Sequence, residues 1–170
     1  MATTMKLIAK NVLDTTAASI TLSSIPATYD DLLLVMSLRS NRASLDYTDV
    51  RGRFNGATSD TNHSGRYLFG SGSTTASGTE SFCRFAYATG ATATSSTFSS
   101  TEIYIPNYAG STNKSYSMTT VHENNSSTAY MIAYAGLWSS TSAITSIEVI
   151  ADASSFVSGS SFCLYGIKKA

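Results

Sequence analysis

The side chains best suited to chemistry in this sequence are few and scattered. His63 and His122 are the only histidines, and neither is followed at two to four residues by another His, Cys or carboxylate, Glu123 standing directly beside His122. That is not the spaced His/Cys/carboxylate set that a transition-metal site requires. Asp60-Thr61-Asn62 begins like a calcium loop but lacks the glycine and closing glutamate of that motif, so it reads as a polar turn. Close carboxylate pairs occur at Asp30/Asp31 and Asp46/Asp49. Neighbouring residues of a strand point to opposite faces, so Asp30 and Asp31 cannot be the facing carboxylates of a glycosidase. Ser111-Thr112-Asn113-Lys114 has the S-x-x-K spacing of a serine nucleophile with its lysine, without the K-T-G or S-D-N that accompany it. No G-x-S-x-G, H-E-x-x-H or phosphate-cradling glycine loop is present. The expectation is a non-enzymatic protein with no catalytic residue, metal or cofactor.

Two residue types remain that could make contacts instead of reactions. All six arginines fall between Arg39 and Arg84, interleaved with Asp46, Asp49 and Asp60. They are either salt-bridged strand-end residues or bidentate anchors tying the domain to copies of itself or to a partner, since arginine is enriched and lysine depleted at interfaces. Arg39, Arg42, Arg51 and Arg53 are the interface candidates among them. The ten tyrosines and Trp138 are mostly accounted for by core packing. The rest could form a sugar-stacking platform or a subunit contact, with Tyr108 and Tyr116 as candidates for the contact.

The elements that position these residues follow from composition. The chain of 170 residues holds 30 serines and 23 threonines, only 13% charged residues and a formal net charge of zero. So many hydroxyls disfavour helices and suit the half-exposed faces of sheets, while the balanced charge argues against a nucleic-acid partner. The same excess produces chance matches, among them S-x-x-K and the N-x-S triplets at Asn62, Asn113, Asn124 and Asn125. No apolar run approaches the roughly 18 residues of a membrane span, and the start of the chain lacks the apolar stretch of a secretory signal.

Strand signals separated by Gly, Asn, Asp and Ser clusters recur about ten times, the pattern of an antiparallel sandwich or barrel. They cover residues 18–23, 32–39, 50–54 (closed by Asn55-Gly56), 66–69, 81–87, 102–105, 115–122, 129–138, 144–150 and 162–167. Leu32-Leu33-Leu34-Val35-Met36 is apolar throughout, and the 129–138 segment is apolar or aromatic on both alternating sets. Both are expected to be central strands covered on two faces. The stretch 70–79 reads as a loop. Cys83 and Cys163, far apart and in aromatic-rich strand patterns, are expected to be buried reduced thiols, with a disulfide open only if their strands are adjacent. Residues 18–170 form one domain, preceded by an arm or first strand, residues 1–17, that contacts neighbours.

Several blocks resemble a family of short virion structural proteins of tailed bacteriophages. They are Ile20-Thr-Leu-Ser-Ser-Ile-Pro-Ala-Thr-Tyr-Asp-Asp-Leu-Leu-Leu-Val, Arg53-Phe-Asn-Gly, Arg66-Tyr-Leu-Phe-Gly, Phe98-Ser-Ser-Thr-Glu-Ile-Tyr-Ile-Pro-Asn-Tyr-Ala-Gly-Ser-Thr-Asn-Lys-Ser-Tyr, Ala135-Gly-Leu-Trp-Ser-Ser-Thr-Ser-Ala-Ile-Thr-Ser-Ile and Leu164-Tyr-Gly-Ile-Lys. The resemblance implies an all-β, antiparallel sandwich of jelly-roll type, made in the host cytoplasm and placed in the virion. It further implies a head decoration (cement) protein on the outer head surface, a homotrimer bound to the major capsid protein. The alternative is a tail fibre or receptor-binding module in which tyrosines, Trp138 and asparagines hold a host surface glycan.

Overall fold

The computed structural model describes residues 4–57, 62–125 and 129–168. Asp60 and Thr61 of the calcium-like turn, and residues 1–3 of the arm, lie outside these. The described residues form twelve strands: β1 (Met5–Val12), β2 (Ser19–Leu22), β3 (Asp31–Leu38), β4 (Tyr47–Phe54), β5 (His63–Gly70), β6 (Thr75–Glu80), β7 (Arg84–Thr89), β8 (Ser99–Pro106), β9 (Lys114–His122), β10 (Tyr130–Trp138), β11 (Ile147–Ala151) and β12 (Ser161–Ile167). They make two antiparallel sheets packed as a sandwich. One has eight strands in the order β1-β12-β3-β8-β9-β10-β5-β6, the other four in the order β2-β11-β4-β7. The chain alternates between them, and the first strand pairs with the last, Leu7 opposite Tyr165. Two hairpins, β5–β6 and β9–β10, interrupt this alternation and extend the large sheet on one side.

Period-two patterning sets which side of each strand is buried. In β9, Lys114, Tyr116, Met118, Thr120 and His122 face the core, and Ser115, Ser117, Thr119 and Val121 face outward. The core between the sheets centres on Phe54. Its ring lies 5.4 Å from Trp138, 5.5 Å from Phe85 and 5.8 Å from Tyr116. Gly136 makes room for this packing, because a Cβ there would sit 2.1 Å from the Tyr116 ring. At the end of β4, Asn55 and Gly56 both adopt positive φ, 55° and 69°, and the Asn55 side chain accepts from the Thr145 N–H at 2.8 Å. The expected turn is there, tying β4 to the segment before β11.

Ten of the strands fall on the expected segments, with three departures. β1 lies in the stretch read as an arm or first strand, and along its whole length it pairs with β12 of its own chain. β6 occupies part of the stretch read as a loop. Residues 81–83, expected in a strand, instead link the large sheet to β7 in the small one. The two strands expected to be covered on both faces are covered on one. Leu32, Leu34 and Met36 are buried while Leu33 and Val35 are partly exposed; Ile132, Tyr134 and Trp138 are buried while Met131 is 60% exposed.

Candidate interaction surface

The residues with chemical potential are absorbed by the architecture. Lys114 is 1% exposed, and its ammonium donates to the carbonyl oxygens of Gly110, at 2.6 Å, and Thr112. Burial holds its pKa below the usual lysine range. Ser111 stands exposed on the same loop, so the S-x-x-K spacing builds a loop clamp. Asp31, 1% exposed, accepts from the Tyr104 hydroxyl at 2.6 Å and the Asn107 N–H at 3.0 Å. Asn107 has φ 49°, its side-chain amide donates to the Thr112 hydroxyl, and Tyr108 donates to the Pro26 carbonyl. The connection between β8 and β9 is thus fixed by its own hydrogen bonds and braced against β3 through Asp31. His122 is fully buried with Nε2 2.6 Å from the Asp46 carbonyl, and its ring stacks on Tyr130. Among the described residues no three His, Cys, Asp or Glu side chains cluster as metal ligands.

The arginines divide. Arg39 fastens the connection between β7 and β8, donating to the carbonyls of Thr94 at 2.9 Å and Thr97 at 2.8 Å. Arg42 is partly buried beside it, its carbonyl accepting from the Ala91 N–H. Arg51 and Arg53 lie on the outer face of the four-stranded sheet, where Arg51 pairs with Asp152 at 3.1 Å and Arg53 with Glu148 at 3.5 Å. Both pairs are well exposed, so each is worth at most about 1 kcal/mol. Arg84 is different: its side chain is 7% exposed and binds both Glu80 and Asp49. Burial alone would lower its pKa, but the hydrogen bonds to Glu80 and the charge of Asp49 outweigh that and raise it. The Phe82 ring lies between the Arg51 and Arg84 guanidiniums, 4.7 and 5.1 Å away. On this face each of these arginines pairs with an acid of the same chain.

Tyr108 and Tyr116, the tyrosines expected at an interface, are core residues, 0% and 4% exposed, and present no surface to a neighbour. The same holds for Trp138, at 4%, so it offers no stacking platform to a glycan. Burial raises the pKa of Tyr116 and pushes that of Tyr134 up to about 12.

The outer face of the eight-stranded sheet is unlike the other. Strand register aligns its outward residues in three rows of eight. The middle row reads Lys10, Cys163, Val35, Glu102, Thr119, Ala133, Leu68, Ser77; the flanking rows run from Leu7 to Thr79 and from Val12 to Thr75. Only Lys10, Glu102 and Arg66 carry charge in these rows, and most other positions are hydroxyls or apolar side chains. Leu68 and Met131, 59% and 60% exposed, are the most exposed large hydrophobics among the described residues. They flank a shallow groove of about 280 Å³ that also includes Phe69, Gly70, Thr75 and Ala133. At sheet spacings the three rows cover roughly 38 by 20 Å, about 750 Å². That is close to the roughly 800 Å² each partner contributes to a stable protein interface. The sequence carried a signal for this face in the extra apolar residues of the 32–36 and 129–138 runs, taken there as a sign of double burial.

Cys83 and Cys163 form no disulfide. Cys83 is buried, its Sγ 3.1 Å from the Tyr116 hydroxyl, whereas Cys163 stands partly exposed on the outer face of the large sheet, not buried as expected. Compared with known proteins, the chain matches no protein-family model, no curated protein and no solved structure.

Proposed function

We propose that this chain is a non-enzymatic virion structural protein, a head decoration protein that lays the outer face of its eight-stranded sheet on the major capsid protein lattice and stabilises the shell. The observation that carries the reading is that face: an interface-sized area with three charges in three rows of eight, and exposed Leu68 and Met131 beside a groove. Apolar groups gain on leaving water and hydroxyls need only a single hydrogen bond in its place, while lysines and glutamates would have to be desolvated and paired. Many such contacts, each modest, add up on a lattice that holds neighbouring copies close.

The connectivity supports a jelly-roll reading. With the two inserted hairpins set aside, the strand orders reduce to β1-β12-β3-β8 and β2-β11-β4-β7. That is two four-stranded antiparallel sheets between which the chain alternates except from β4 to β7, which are neighbours in the small sheet, an architecture used in viral capsids and in lectins. Fold analogy alone does not choose between those uses. Trp138, Tyr116 and Tyr134 are buried, so the rings a glycan could meet on the large sheet's outer face are Tyr104, 37% exposed, and Tyr165, too few for the platform of tyrosines and Trp138 that the receptor-binding reading calls for.

Imaging of labelled protein on intact particles tests this. Density at symmetric positions on the head is the expected result; density confined to the tail, with glycan binding by the purified chain, would replace the reading with the receptor-binding one.

A further inference from the structure

Two open sheets have four edges, and each exposes backbone N–H and C=O groups that must be guarded or used. β1 guards its edge with Lys6 and Lys10 and an irregularity between Leu7 and Ala9. β2 is only four residues long. β7 is closed at both ends: Thr89 bridges to Arg39 and accepts from the Ser40 N–H at 2.7 Å, and Arg84 is tied to Glu80. β6 shares only the Arg84 tie, at its last residue Glu80, and from Thr75 to Thr79 it has none of these devices. Its sequence, Thr-Ala-Ser-Gly-Thr-Glu, holds no lysine, arginine or proline, and it pairs with β5 over all six residues without a bulge. Thr75, Ala76, Ser77 and Thr79 are exposed, and such small side chains let another backbone approach closely.

We propose that β6 pairs antiparallel with β6 of a second copy across a two-fold axis at Ser77, joining the two large sheets into one. The occupant follows by elimination among the edges. A lysine-flanked irregular edge, a very short one and a closed one do not accept β6, so only another β6 does, and the contact closes at two copies without growing into a filament. In this register Ser77 faces its counterpart, Thr75 of one copy faces Thr79 of the other, and Ala76 faces Gly78. The outward side becomes a ladder of hydroxyls with no like charges opposed. Main-chain hydrogen bonds supply the affinity. The area is small, so the free dimer is weak and gains strength where copies are already held side by side. This contact leaves the outer face of the sheet open and stands independently of the virion reading.

Sedimentation equilibrium of the purified chain over a wide concentration range tests it. A concentration-dependent species of twice the 18.0 kDa chain mass is expected. Ser77→Lys, which sets like charges together at the axis, raises its dissociation constant about tenfold or more. Circular dichroism and the urea midpoint stay unchanged, and Lys6→Gln on the opposite edge has no effect. In a Cys163→Ser background, Ser77→Cys forms a disulfide-linked dimer under mild oxidation and Thr75→Cys does not. A monomer at every concentration, a trimer as the family resemblance implies, or a dimer indifferent to Ser77→Lys would each overturn the proposal.

Discussion

On the four-stranded sheet the outward positions carry Arg51, Arg53, Asp49 and Glu148, and the arginines there meet acids of the same chain. On the eight-stranded sheet three outward rows carry Lys10, Glu102 and Arg66 among hydroxyls and apolar groups, with Met131 60% exposed. Both sheets have one side turned away from the core. One pairs its arginines with acids of the same chain; the other carries few charges and is cheap to desolvate. Arginine enrichment in a sequence therefore does not by itself mark an interface, because the same residue type serves internal bracing as well.

The largest effect that could break this contrast lies at Arg84. It is the buried member of the charged face, and Arg84→Ala leaves Glu80, 9% exposed, and Asp49 without their shared cation. A loss of about 3–5 kcal/mol in urea denaturation is expected, the cost of an uncompensated buried charge. A loss below about 1 kcal/mol would mean that this network braces nothing.

The next effect concerns the tyrosines, which belong to the core and to neither face. Tyr134 holds its proton up to about pH 12 when folded, against about 10 unfolded. Stability from this group is complete below pH 10 and is lost as pH rises toward 12, at about 1.4 kcal/mol per pH unit. Alkaline titration should show tyrosinate absorbance rising in two stages, the second coinciding with unfolding. A single stage near pH 10 without unfolding would place these hydroxyls in water.

How much of this was legible in the sequence depends on what each residue reports. The alternation in β9 and β10 and the Asn55-Gly56 turn are local signals, and they located strands and a strand end. β6 was missed because Thr-Ala-Ser-Gly-Thr-Glu buries almost nothing, so it has no apolar period to read. The two-face burial expected for β3 and β10 failed for a physical reason: an apolar outward residue looks the same in sequence whether another layer of this chain or another molecule covers it. For Tyr108 and Tyr116 residue type does not encode which side of the chain faces inward; their hydroxyls meet Pro26 and Cys83 inside the fold, away from any interface.

Exposed substitutions sharpen the contrast with smaller effects on the fold. Arg53→Ala removes a 3.5 Å pair that is 41% and 24% exposed, so a change within about 1 kcal/mol is expected. Leu68→Lys and Met131→Lys on the other face should change stability by no more than about 0.5 kcal/mol. Yet the lysine variants should lose retention on particles, measured by co-sedimentation, while Arg53→Ala keeps it. If Arg53→Ala detaches the protein and the lysine variants do not, the roles of the two faces are reversed.

The least perturbing test needs no substitution, because the chain carries one thiol on the large outer face and one inside. Cys163 is partly exposed between Lys10 and Val35, whereas Cys83 is 1% exposed against the Tyr116 hydroxyl. A maleimide should therefore label the free folded protein once, at Cys163, and label Cys83 only on unfolding. If the large sheet is the docking face, Cys163 becomes protected on assembled particles, and its labelling rate falls with occupancy while the folded core stays silent. Equal labelling of Cys163 before and after assembly would mean that the β12 side of this face remains in water. Docking would then have to be confined to the groove between Leu68 and Met131, on the far side of the sheet, or to the β6 edge.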